Sequence, residues 1–428
     1  MADVKWTSEQ LDAITKKDSN ILVAAAAGSG KTAVLVERII RKIIVEKIDI
    51  DKILVVTFTN AAAAEMRERI LDAIYKKMEE NPEDKNLQKQ IILLNKASIC
   101  TIDSFCLDII KNNFYEIDVS ANTRIADNTE VTLLKQEVLD DLFEEKYIAN
   151  DNSFIDLINT YTKYNKDENL KELILKIYTY IQASPFPEEW LEKSVEMFNC
   201  NNSNFSDTPW GKIITNYVED ILNDIILKLE NIVKKMKLFP EIEKSTNIIE
   251  DDINQYLAIK ENLNDWDKTE LLINKLKNKP WSSNKKVEND IQDEAQELRN
   301  ETKKEFKKIK ELISSSSEEA IDDINYMYDI LNKLKDLIFE FSKRYYDKKR
   351  EKNIMDFNDM EHLALNMLIK KDENGNIIKT SIAKKYEEKF EEIAIDEYQD
   401  SNLVQEYILT SVSRGNNIFM VGDVKQSI

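Results

Sequence analysis

The sequence predicts an α/β fold, a parallel sheet interrupted by a large all-helical inserted domain. Two short apolar stretches and one change of composition carry this expectation. "NILVAAAAGSGKTAVLVERII" (20–40) reads as a strand, a glycine turn and a helix. "FEEIAIDEYQDSNLVQ" (390–405) reads as a second strand ending in carboxylates. Between them, Asp118 to Lys343 contains a single glycine, Gly211, among residues that favour helix.

In the first stretch, Ile21–Ala24 form a short buried strand and Lys31–Ile40 a helix. Gly28 and Gly30, two of only six glycines in the chain, fall in the turn, where the backbone needs freedom. A strand, a glycine turn and Gly30-Lys31-Thr32 opening a helix make a phosphate-binding loop. It runs through Ala25, Ala26, Ala27, Gly28, Ser29, Gly30, Lys31 and Thr32, with Ala25 where the usual pattern has its first glycine. Backbone N–H groups and the helix N-terminus face phosphate, Lys31 reaches the β/γ oxygens, and Thr32 ligates Mg²⁺. A nucleoside triphosphate such as ATP and Mg²⁺ are the implied cofactors, since the loop alone permits kinases, GTPases, ATPases and motors.

Lys52–Thr57 suit a buried parallel strand, with Asn60 capping the helix that follows. Thr57, Thr59 and Asn60 offer short groups that reach phosphate oxygens, and Phe58 either joins the core or stacks on an unpaired base.

The strand Ile393–Ile395 delivers Asp396 and Glu397 to its end. Ligands of open α/β sheets gather at the carboxyl ends of the strands, so this pair converges with the phosphate loop. Asp396 is assigned to the metal and Glu397 to the base that activates water. An acidic surface turn is the plain alternative in a chain with 80 Asp and Glu, and the apolar strand in front weighs against it.

About 290 residues separate "TIDSFC" (101–106) from "DEYQD" (396–400), far more than one crossover needs. The expected organisation is 1–117 and 346–428 as two parts of one lobe, with 118–345 as the helical insert. Ser316 and Glu319 stand at capping-box spacing. Ile324, Met327, Leu331, Leu334, Ile338, Phe341 and Tyr345 then form one apolar seam. "KKEFKKIK" (303–310) reads as a solvated face. Ile418–Val421 form a last interior strand, broken by Gly422 and Asp423, with Lys425 and Gln426 as polar tips.

Composition excludes several classes. The single histidine, His362, rules out catalytic triads and His-rich metal sites and is read as structural. The three cysteines form no CxxC pair, as in a cytoplasmic chain with free thiols. No apolar run approaches ~18 residues, and the mean hydropathy is -0.47. The net charge of -20 is no nucleic-acid footprint. Single-strand binding, however, needs only a local groove of donors and stacking faces.

"AAAAGSGKT", "DEYQD" and the terminal "VGDVKQSI" resemble motifs I, II and III of the UvrD-like superfamily 1 DNA helicases. "WTSEQLDAI" resembles that family's Q motif, "VVTFTNAAAAEMRERI" its motif Ia, and "TIDSFCLDII" the DNA-contacting motif after it. Asp356-Phe357 resembles an element just ahead of motif II.

The resemblance implies a RecA-like P-loop NTPase lobe. It places Gln10 on the adenine edge, Gln426 at the γ-phosphate, and Thr57, Phe58, Thr59, Asn60, Thr101, Ser104 and Phe105 along single-stranded DNA or a duplex end. Ala61 and "SFC" are similar to the motor subunits of bacterial helicase–nucleases that process broken DNA ends with a second, nuclease subunit; Asp103 stands where these more often have histidine. On that reading a second RecA-like lobe and a nuclease domain follow the last residue, and this chain binds nucleotide weakly with almost no turnover. RecB-like or UvrD-like motors, a non-catalytic binding module and a P-loop kinase are the alternatives; Gln10 and the acidic pair argue against the kinase.

Overall fold

The computed structural model describes residues 6–26, 30–116, 122–162, 167–282 and 290–423. Its centre is a five-stranded sheet in the order β1-β9-β8-β2-β3, every neighbouring pair parallel. The strands are β1 (Ile21–Ala24), β2 (Ile53–Thr57), β3 (Ser98–Thr101), β8 (Glu392–Ile395) and β9 (Ile418–Gly422). Two small sheets pair β4 (Arg124–Ile125) with β5 (Ile354–Met355), and β6 (Ile369–Lys371) with β7 (Ile377–Lys379). The antiparallel β6–β7 hairpin has no counterpart in the sequence reading.

The central strands read as unbroken apolar runs because both faces are covered. Ile53, Val55, Ala394, Phe419 and Val421 enter one core with the helices Lys31–Ile44 and Asn60–Glu80. Leu54, Val56, Ile393, Ile395 and Ile418 enter the other with Ile102–Asn112, Phe357–Leu368 and Leu403–Ser411. Alternate residues of one strand thus serve opposite layers. β1 departs from its expected burial: it is an edge strand, only Ile21 and Val23 pack inward, and Leu22 is 56% exposed.

A buried ionic cluster ties the layers together. Arg38 makes a bidentate pair with Glu392, both bonds 2.8 Å, and donates to the carbonyls of Ala13 and Lys16 at 2.7 and 2.8 Å. Lys42 reaches the same carboxylate at 2.8 Å. The Arg38 guanidinium also lies 4.7 Å from the centre of the Phe419 ring. The helix behind the glycine turn, the start of β8 and the end of the helix Ser8–Thr15 are therefore fixed by one side chain.

Some local expectations change. The helix Asn60–Glu80 is capped by Thr59, whose Oγ1 accepts from the Ala62 N–H at 3.1 Å, and Asn60 is its first residue. Ser316 and Glu319 do exchange reciprocal capping bonds, at 3.1 and 3.3 Å. Leu334, Ile338, Phe341 and Tyr345 of the seam are buried, while Met327 is exposed. The His362 Nε2 donates to the Gln182 carbonyl at 3.0 Å, and burial holds its pKa below the usual value.

The chain divides into two compact units, one drawn from 1–151, 166–188 and 338–428, the other from 152–165 and 189–337. These limits differ from the 118–345 segment set by composition. The helix Asn128–Ile148 belongs with the sheet-bearing unit because Lys146 pairs with Glu340, Glu145 with Arg344 and Glu137 with Lys348. Tyr178 adds an edge-on contact to Phe341. The other unit has its own helical core around Leu222, Ile225, Tyr256 and Trp266. Gly211 is required there, since a Cβ would lie 1.8 Å from the Phe205 carbonyl oxygen. Among the described residues no helix is long and apolar enough to cross a membrane.

Glu392→Ala leaves the buried Arg38 without its carboxylate and Lys42 with only Glu46, 3.5 Å away, so urea denaturation should show a loss of about 3–5 kcal/mol. An unchanged midpoint would remove the cluster from the account of the fold.

Candidate nucleotide and nucleic-acid site

β1, β8 and β9 end side by side at the carboxyl edge of the sheet. The Ala25 N–H donates to the Gly422 carbonyl at 3.1 Å, fastening the start of the loop to β9. Ala26 follows, exposed, while Ala27, Gly28 and Ser29 lie outside the described residues. Gly30 re-enters at φ 84° and ψ 21° as the cap of Lys31–Ile44, a left-handed conformation that a side chain would strain. A Cβ on Gly30 would stand 3.8 Å from the Gln10 Nε2. Gln10 is held there by a reciprocal cap, its Oε1 accepting from the Thr7 N–H at 3.0 Å and its N–H donating to the Thr7 Oγ1 at 3.2 Å. The glutamine amide thus faces the end of the loop.

Lys31 and Thr32 open the helix. The Lys31 amino group lies 3.7 Å from the Glu397 carboxylate, with Lys31 nearly buried and Glu397 partly exposed. Asp396 continues β8, its N–H donating to the Val56 carbonyl at 2.9 Å. Burial, and then the charge of Glu397, raise its pKa above the ordinary aspartate value. Glu397 sits at φ 52°, in the left-handed region where non-glycine residues concentrate at functional turns. Gln399 donates to the Glu397 Oε2 at 2.7 Å, and its Oε1 accepts from the Asp423 N–H at 2.9 Å. One amide thus joins the acidic turn to the end of β9. Gln426 lies outside the described residues.

Among the described residues no group of three or more His, Cys, Asp or Glu side chains could hold a metal alone. The donors fit Mg²⁺ of the kind that keeps its waters and takes one or two protein oxygens together with phosphate. A cation there would also relieve the repulsion between Asp396 and Glu397.

Next along the sheet edge, the ends of β2 and β3 border an open cavity of about 430 Å³ lined by Phe58, Thr59, Asn60, Thr101, Asp103, Ser104 and Phe357, among others. Phe58 is 65% exposed, so its ring faces outward and is not core. Thr59 and Asn60 line the cavity, while Thr57 is buried with its hydroxyl donating to the Thr59 carbonyl at 3.0 Å. Thr101 caps Ile102–Asn112, its Oγ1 2.9 Å from the Ser104 Oγ.

Phe105 departs from the expected DNA-contact set. It is 2% exposed and packs edge-on against Tyr386 and tilted against Phe390. On the inward face of its helix, it serves the core.

Several residues of these sites were not singled out in the sequence. The signal for Gln399 inside "DEYQD" is its place as a polar residue two positions after a strand-end carboxylate. Phe357 was noted only for its position after Asp356; its place as the first residue of a capped helix, where a large apolar side chain has little to pack on, is the available signal.

The chain belongs to the UvrD/REP helicases, the model for the N-terminal domain of that family matching residues 6–428. More particularly, it is similar to the A subunit of the ATP-dependent helicase/nuclease of Clostridioides difficile strain 630, 44% identical over 443 residues and covering 100% of this chain and 35% of the relative. The protein of that name from Clostridium botulinum strain Alaska E43 is 45% identical over 440 residues, with coverage of 100% and 35%. That from Clostridium perfringens strain ATCC 13124 is 46% identical over 448 residues, covering 99% of this chain and 34% of the relative. The chain therefore spans about a third of the length of the curated relatives it matches.

Phe105→Ala should cost about 3–5 kcal/mol in chemical denaturation, whereas Phe58→Ala should leave stability within about 0.5 kcal/mol of wild type. Equal losses would mean that both rings serve the core.

Proposed function

We propose that this chain is the first motor lobe of an ATP-dependent DNA helicase–nuclease of the AddA type, which unwinds and processes double-strand break ends for recombinational repair. The observation that carries the reading is the approach of Lys31 to Glu397 across the carboxyl edge of the sheet, in a chain matched along its length to this helicase family. On this reading 1–117 and 346–428 form a RecA-like lobe and the helical unit is an insertion between them. The relatives are named as one subunit of a helicase/nuclease, which supports a partner; we take it to be an AddB-like nuclease subunit. The ligands are ATP with Mg²⁺ and single-stranded DNA or a duplex end.

The residues act as follows. The loop from Ala25 to Thr32 surrounds the phosphates, with Gln10 at the adenine. Lys31 lies against Glu397. Entering phosphates outcompete that single, partly solvated carboxylate, turn Lys31 toward the β/γ oxygens and release Glu397 to orient the attacking water. Thr32 and Asp396 would hold Mg²⁺, which would supply positive charge beside the phosphate oxygens. Gln399 keeps Glu397 aimed, and Gln426 contacts the γ-phosphate. Thr59, Asn60, Thr101 and Ser104 take DNA backbone, with Phe58 stacking on a base.

Titration with a fluorescent Mg·ATP analogue tests the nucleotide site. Lys31→Ala should abolish binding, while Glu397→Gln, which removes the competing carboxylate, should keep it and eliminate any hydrolysis. Binding unaffected by Lys31→Ala would reject the reading. Because the pKa of Asp396 is raised, affinity for Mg·ATP should be full on the alkaline side of that pKa. It should fall on acidification at a higher pH than an ordinary aspartate would dictate; Asp396→Asn should remove this dependence.

A further inference from the structure

We propose that Asp103 makes the cavity beside Phe58 selective for a nucleobase carrying an exocyclic amino group, cytosine over thymine in single-stranded DNA. The inference rests on the DNA-contact reading of Phe58 given above and adds a base preference to it.

The cavity offers two kinds of surface. Phe58 and Phe357, 65% and 45% exposed, present aromatic faces. Stacking on such faces accepts any base, because every base has a π-face. The volume of about 430 Å³ lies within the range of small-molecule sites. Any preference must therefore come from the polar wall.

Most of that wall is already engaged. The Thr59 Oγ1 accepts from the Ala62 N–H, and the Thr101 Oγ1 accepts from the Ser104 N–H while sharing a hydrogen bond with the Ser104 Oγ. Asp103 differs. Among the described residues its carboxyl has neither an ion pair nor a hydrogen bond, although it lines the cavity and is half-buried. Burial without compensation raises its pKa, the mark of a carboxyl short of a donor.

A carboxylate only accepts hydrogen bonds. Cytosine presents the N4 amino donor, and aspartate is among the side chains that accept from it. Thymine presents the O4 acceptor at the same edge, so two sets of lone pairs would meet.

Fluorescence-anisotropy titrations of this chain with oligo-dC and oligo-dT of equal length, at low salt and slightly alkaline pH, test the proposal. Wild type should bind oligo-dC roughly two- to tenfold more tightly, the worth of one hydrogen bond. Asp103→Asn presents both a donor and an acceptor in the same space and should bring the ratio close to one. Phe58→Ala should weaken both oligonucleotides alike and leave the ratio in place. Equal affinities in wild type, with both weakened by Phe58→Ala, would overturn the base selectivity while sparing the DNA reading. No binding, or binding indifferent to Phe58→Ala, would overturn the DNA reading and the selectivity with it.

Discussion

The bidentate pair between Arg38 and Glu392 is the contact on which the geometry of the site depends. Arg38 lies two turns into the helix that begins with Lys31, and Glu392 is the first residue of the strand that ends at Ile395, immediately before Asp396. Joining these points sets the helix behind the phosphate loop in register with the strand that delivers the acidic pair. The same guanidinium holds the carbonyls of Ala13 and Lys16, at the end of the helix that carries Gln10 and just past it. Three segments far apart in the chain are thereby fixed by one planar group. An apolar replacement of such a cluster can match its stability. Five N–H donors in a fixed fork supply direction, which an apolar contact does not.

Given that frame, the polar chemistry gathers where a parallel sheet leaves it. Strands covered on both faces have room for charged groups chiefly at their ends, and here the carboxyl ends of β1, β8 and β9 bring Gly30, Lys31, Asp396, Glu397 and Asp423 to one edge. The turn at Glu397 accepts a left-handed backbone and Asp396 accepts a raised pKa. Both are costs that a ligand carrying phosphate and a cation would offset. The overall charge of -20 does not bear on this edge, where Lys31, Asp396 and Glu397 set the local charge.

Much of this was legible in the sequence, for identifiable reasons. β2, β8 and β9 showed as continuous apolar runs because each feeds two cores, and the glycine turn showed because glycine is scarce elsewhere. Glu392 did not show: among 80 acidic residues nothing marks the one that is buried, and its partner lies 354 positions away. Phe58 and Phe105 follow strands in much the same way, yet one faces solvent and the other the core; only their places relative to the caps Thr59 and Thr101 separate them. The two compact units do not follow the limits drawn from composition, because composition reports helix and is blind to what a helix packs against. The pairs Lys146–Glu340 and Arg344–Glu145 link residues too distant in sequence to be recognised beforehand.

The most direct measurement is a crystal structure of this chain with Mg²⁺ and ADP–beryllium fluoride. The account predicts the fluoride-bearing group between Lys31 and the Asp396–Glu397 turn, Lys31 moved off Glu397, and the Arg38–Glu392 pair unchanged. A nucleotide bound elsewhere, or bound here with Lys31 still on Glu397, would contradict it.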